Sequence, residues 1–194
     1  MDPIDWVIIG LGNPGGKYEN TRHNIGWLLL DRLESMGSFG RPLSEAQSVV
    51  KIGRAFGARC ITVRPQTFMN ESGRAGREIL GRYQVPLDHV VVAHDDMDLP
   101  FGRLKVTAGS RAAGQKGVAS LIESWKTTKF PRIRIGIGRP PEGWDPMSYV
   151  LGVWTPRERQ LLQDVLMTAS IGTEAIIARG VDAAMAAVNG VVIA

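Results

Sequence analysis

The chain has 194 residues, 44% hydrophobic and 22% charged, with one cysteine and a formal charge of +4 at neutral pH. That balance suits an ordinary globule of one domain spanning 1–194, and it excludes low-complexity and collagen-like chains. The lone Cys60 rules out an intrachain disulfide and fits a reducing cytoplasm; Asp2 and Asp5 at the start argue against a secretory leader, and no apolar run reaches membrane-span length, so no membrane association is expected.

In chain order, the apolar run Trp6–Leu11 predicts a strand that ends in a glycine-rich turn. From His23 to Met36, Trp27, Leu30 and Leu33 share one helical face, with Asn24 or Thr21 as candidate N-cap. Val49–Ile52 and Ala58–Val63 are close enough to form an antiparallel hairpin, and Cys60 falls in the second run as a buried thiol. A helix over Arg74–Tyr83 precedes a strand at Val90–Ala93, which runs into His94-Asp95-Asp96-Met97-Asp98. Leu104–Thr107 and Ile133–Ile137 read as strands and Gly117–Trp125 as a helix between them. Gly136 to Gly143 is the clearest loop, the longest helix starts at Pro156, and Val181–Val188 forms a short last one. Such alternation predicts an α/β single-domain sandwich with a central mixed, largely parallel sheet and helices on both faces.

Charge is unevenly spread. Residues 101–139 hold nine basic side chains against Glu123, near +8, which leaves the remainder near −4. The asymmetry points to a polyanion partner, or to charges dispersed over a solvated surface once the chain folds.

Two readings compete for the first turn. Gly10, Gly12 and Gly15 satisfy G-x-G-x-x-G after a strand, the dinucleotide fingerprint. That fingerprint needs a helix starting inside the motif, whereas here Pro14, Gly16 and Lys17-Tyr18-Glu19-Asn20 delay it. The other reading starts from His23, an imidazole placed beyond the turn for acid–base work near neutral pH. Asp95, Asp96 or Asp98, following a strand, could each orient it, and spacing does not choose among them. No G-x-S-x-G occurs, so neither a serine nor the Cys60 acyl-enzyme is expected.

The stretch Gly10-Leu11-Gly12-Asn13-Pro14-Gly15-Gly16-Lys17-Tyr18, continued by Thr21-Arg22-His23-Asn24, resembles the N-terminal signature of bacterial peptidyl-tRNA hydrolases. The resemblance recurs in Pro65 to Gly73 (PQTFMNESG), His94 to Pro100 (HDDMDLP) and Arg134 to Gly138 (RIGIG), four ordered blocks over most of the chain. It implies one α/β domain that hydrolyses the ester of peptidyl-tRNA, with His23 activating water and Asp95 as its carboxylate partner. It further implies that Asn13, Tyr18, Phe68, Met69 and Asn70 meet the substrate near the ester and the 3′ end. Lys105, Arg132 and Arg134 are candidates for the 5′-phosphate and acceptor backbone. Phe68 and Met69 equally suit a core at a helix start. The chain departs from the family where many members read A-G-H-N-G: Gln115 takes the place of the histidine and Lys116 that of the substrate-binding asparagine. A non-hydrolytic RNA-binding relative is the rival reading. Neither metal nor organic cofactor is implied; the expected partner is peptidyl-tRNA, bound by a cytoplasmic monomer with no obligate protein partner.

Overall fold

In the computed structural model, which describes residues 2–194, one sheet gathers the eight strands found there. They are β1 (Trp6–Gly10), β2 (Ser38–Phe39), β3 (Leu43–Glu45), β4 (Ser48–Ala55), β5 (Ala58–Pro65), β6 (Val90–Asp96), β7 (Leu104–Thr107) and β8 (Arg132–Gly136). Their order is β2-β4-β5-β1-β6-β8-β7, with β3 beside β4. The inner strands β5, β1, β6 and β8 are parallel; β4 and β7 flank them antiparallel, and the short β2 and β3 pair the outer side of β4. The expected hairpin is therefore present, and longer than its apolar runs. It turns at Phe56-Gly57, both with positive φ, as the right-handed twist of paired strands demands.

Side chains alternate across each strand. Ile8, Val91 and Ala93 face α1 (Ile25–Met36), α5 (Pro156–Arg179) and α6 (Val181–Val188). Val7, Ile9, Val90 and Val92 face α2 (Ser72–Tyr83) and α3 (Lys116–Trp125). Coverage on both faces explains why the inner strands read as unbroken apolar runs. The 24-residue α5 is apolar enough by length and composition to span a membrane, but Val165, Leu166, Ala169 and Ile176 bury its stripe on the sheet. Its start is fixed by Pro156 and by a reciprocal capping box between Thr155 and Glu158.

Three local expectations change. A single tight turn over Arg22–Asn24 leads into α1 at Ile25, and neither Thr21 nor Asn24 makes a side-chain cap. Asn24 is committed elsewhere, as described below. The short margin strands β2 and β3 have too little apolar alternation to be read. The five-residue α4 (Pro146–Val150) also escapes periodicity, although Asp145 caps it and Pro146 opens it.

Candidate active site

His23 lies in the tight turn before α1, and Asp95 is the penultimate residue of β6. The sheet thus delivers both to the carboxyl end of its parallel strands, where open α/β sheets place their sites. Their side chains are 8% and 3% exposed, and His23 Nδ1 sits 2.8 Å from Asp95 Oδ2. A carboxylate only accepts, so Nδ1 carries the proton, and in the neutral imidazole Nε2 has the lone pair. His23 and Asp95 open onto a cavity of about 290 Å³ whose walls include Met97, Gln115, Lys116, Asp145, Met147 and Val150.

The structure sorts the three acids. Asp96 Oδ2 accepts from Arg134 Nε at 2.7 Å, and its Oδ1 accepts from the Asp98 N–H at 2.8 Å. Asp98 is paired with Arg139. Asp95 faces the imidazole, and its Oδ1 accepts from Gln115 Nε2 at 3.0 Å. His94, next in the strand, is buried and donates Nδ1–H to the Asp95 carbonyl; burial pushes its pKa down to about 4, so it is neutral at pH 7. Among the described residues no three His, Cys, Asp or Glu side chains converge as metal ligands. Burial raises the Cys60 thiol to about 11, which removes it from nucleophilic chemistry.

The glycine-rich turn is held by amides. Asn24 Oδ1 accepts the Asn13 N–H at 2.9 Å, and Asn24 Nδ2 donates to the Asn13 carbonyl at 3.0 Å. Asn13 Oδ1 accepts the Met69 N–H at 2.8 Å, which leaves Asn13 Nδ2 as the donor it presents. The glycines make room for protein atoms: a Cβ on Gly10 would stand 2.5 Å from the Gly26 carbonyl oxygen, and one on Gly12 would stand 2.8 Å from Trp27 Nε1. The helix that the dinucleotide motif requires inside it starts instead at Ile25, so that reading fails.

Phe68 is 56% exposed and Asn70 is exposed, on either side of Met69 where the chain leaves β5 for α2; Tyr18 is half-buried. Met69 is a correction. The residue is 4% exposed, with Sδ 3.3 Å from Gln115 Nε2 and its backbone N–H donated to Asn13 Oδ1, so it packs behind the site and presents no surface to substrate. Arg132 is a second correction. At 1% exposure it donates to the carbonyls of Ser110 and Arg111 and to the Ser110 hydroxyl, with its guanidinium over the Phe130 ring. The Phe130 ring and the 110–111 loop enclose it, and it holds that loop instead of standing free for a phosphate. Lys105 is exposed on β7, directly across from the half-buried Arg134 of β8. Lys116 is exposed on the cavity wall. Asp145 has its carboxyl held below the ordinary range by bonds from Ser148, with Lys116's charge a smaller contribution.

Two supports were not read as such. Arg22 pairs with Glu158 at 2.8 Å and lies 4.4 Å from the Tyr149 ring centre, so it locks the histidine turn to α5 and α4. Gln115 is the N-cap of α3 as well as a partner of Asp95. Its place immediately before an apolar-periodic segment was the signal available.

An imidazole backed by a buried carboxylate, opening on a cavity at the carboxyl end of a parallel sheet, defines an α/β protein with an acid–base site. The family model of peptidyl-tRNA hydrolase matches residues 7–193. The chain is 41% identical over 182 residues to the peptidyl-tRNA hydrolase of Chloroflexus aurantiacus, covering 93% of this chain and 96% of that protein. It is 39% identical over 186 residues to that of Herpetosiphon aurantiacus, covering 95% and 90%. The crystal structure of peptidyl-tRNA hydrolase from Acinetobacter baumannii superposes with a TM-score of 0.91 at 26% identity, covering 98% of this chain and 97% of that one. The chain belongs to the peptidyl-tRNA hydrolase family.

Proposed function

We propose that this chain hydrolyses the ester joining a peptide to the 3′-terminal ribose of tRNA, with His23 as the base toward water. Family membership supports the substrate, and the 2.8 Å His23–Asp95 contact carries the mechanism. Nε2 takes a proton from water as the water oxygen bonds the ester carbonyl carbon. The carbon–ribose oxygen bond then breaks, and the imidazolium returns the proton to the departing oxygen. The products are a peptide acid and a tRNA with its hydroxyl restored. Asp95 fixes the tautomer and stabilises the imidazolium, and base catalysis of this kind contributes about 10²–10⁴-fold.

Asn13 and Asn70 position the acyl part. With Oδ1 taken by Met69 N–H, Asn13 offers an N–H, which suits the carbonyl of a blocked α-amide and has nothing to receive from a free ammonium. The exposed Phe68 and the half-buried Tyr18 offer rings on which the splayed 3′ nucleotide stacks. Lys105, Arg134 and Lys116 meet the acceptor end and its phosphates. The protein works in the cytoplasm as one domain and a monomer, without metal or organic cofactor. The test is cleavage of N-acetylaminoacyl-tRNA beside the same tRNA carrying a free amino acid. Selective loss of the blocked ester is expected, and equal cleavage of both would contradict the role given to Asn13.

A further inference from the structure

Asp95 has two carboxylate oxygens, and His23 uses one. The other accepts from Gln115 Nε2 at 3.0 Å, while Gln115 Oε1 accepts the Val118 N–H at 2.8 Å at the start of α3. This arrangement leaves the amide one orientation. Turned over, it would set its NH₂ against a backbone donor and its oxygen against a carboxylate. Met69 Sδ, 3.3 Å from Nε2, closes off one side of the amide. Gln115 itself is 8% exposed.

We propose that Gln115 is a positioning residue for the His23–Asp95 pair, transmitting the fixed geometry of the α3 N-terminus to the carboxylate that orients the base. This rests on the reading of His23 as base. A donor on Oδ1 holds the carboxylate plane so that Oδ2 points at Nδ1, and it draws off part of the negative charge the imidazole feels. The first effect sets kcat, and the second sets how low in pH the base stays unprotonated. The other charged groups around the pair are already committed or lie elsewhere. Asp96 is paired with Arg134 on β8, and Arg22 with Glu158 on α5. His94 turns its Nδ1 to a backbone carbonyl. Lys116 on α3 and Asp145 before α4 line the cavity. Among the described residues, Gln115 is the one side chain that donates to Asp95 Oδ1.

Two substitutions separate positioning from capping. Gln115→Ser keeps a cap oxygen for α3 but is too short to reach Asp95. Gln115→Asn keeps a cap oxygen as well and falls one methylene short of Asp95. With N-acetylaminoacyl-tRNA as substrate, Gln115→Ser is expected to lower kcat about tenfold with KM within about twofold. The acidic limb of its kcat/KM profile should move up by about half a pH unit, and that of Gln115→Asn likewise, while both thermal midpoints fall because Asp95 Oδ1 loses its buried donor. Unchanged kcat and an unmoved limb in both variants would overturn the proposal while leaving His23 as base. Should Gln115→Ser not fold, the Gln115→Asn profile decides alone, an unmoved limb again overturning it. A wild-type protein that cleaves neither ester would overturn the base reading and this one with it.

Discussion

Asn13 and Asn24 are joined by two hydrogen bonds, backbone of the first to side chain of the second, at 2.9 and 3.0 Å. The amide of Asn24 thus acts as a short strand partner for one residue of the glycine-rich turn. Because Asn24 directly follows His23, the turn that presents Asn13 and the turn that presents the base are one mechanical unit.

Asn24→Ala leaves the buried Asn13 N–H and carbonyl without partners. It is expected to cost about 2 kcal/mol of stability and to lower kcat/KM about tenfold through misplacement of Asn13 and His23. Urea unfolding and steady-state kinetics check the two effects. Full activity with lowered stability would mean that the two turns are not coupled.

Lys105 of β7 and Arg132 of β8 lie on paired strands yet should behave in opposite ways. Lys105→Ala removes an exposed charge, so the slope of log affinity for tRNA against log salt should fall by about one, with the thermal midpoint unchanged. Arg132→Met loses the charge and the fork that holds two loop carbonyls inside the protein, and about 2 kcal/mol of stability with them, yet leaves the salt slope as it was. A reduced slope in Arg132→Met would return that side chain to the phosphate-binding role expected from sequence.

Glu34 of α1 gathers Lys51, Thr62 and Arg64 from the sheet. Burial works against its charged form, but the bonds from Arg64, Lys51 and Thr62 outweigh it and hold the carboxyl below its ordinary value of 4.5. The unfolded chain therefore takes up the proton first as pH falls. The stabilisation is complete above about pH 4.5 and is lost as pH drops through the lower folded value. Glu34→Gln should cost about 2 kcal/mol at pH 7 and flatten the acid side of a stability-against-pH curve. Equal slopes in wild type and variant would remove Glu34 from the account.

The sheet was legible because β1, β5, β6 and β8 are buried on both faces, so each leaves an unbroken apolar run such as Val7-Ile8-Ile9 or Val90-Val91-Val92. The helices showed wherever one face was apolar over two turns or more. What stayed hidden depends on contacts across the chain. Asn24 looks like a cap by position and is instead bonded to a residue eleven positions back. Arg132 alternates with apolar neighbours exactly as an edge residue would, and only the packing of Phe130 and the 110–111 loop turns it inward. Asp95 could not be told from Asp96 and Asp98 by spacing, because what separates them is the partner each one meets: Arg134 for Asp96, Arg139 for Asp98, His23 and Gln115 for Asp95. The family resemblance had named Asp95, and the Nδ1 contact supplies the physical reason.

The most direct measurement is single-turnover hydrolysis of N-acetylaminoacyl-tRNA by wild type and by His23→Ala, with circular dichroism and tRNA binding measured on both. The account predicts that the variant folds, binds tRNA and hydrolyses at least about 10²-fold more slowly. A folded His23→Ala protein that cleaves at near wild-type rate would contradict it.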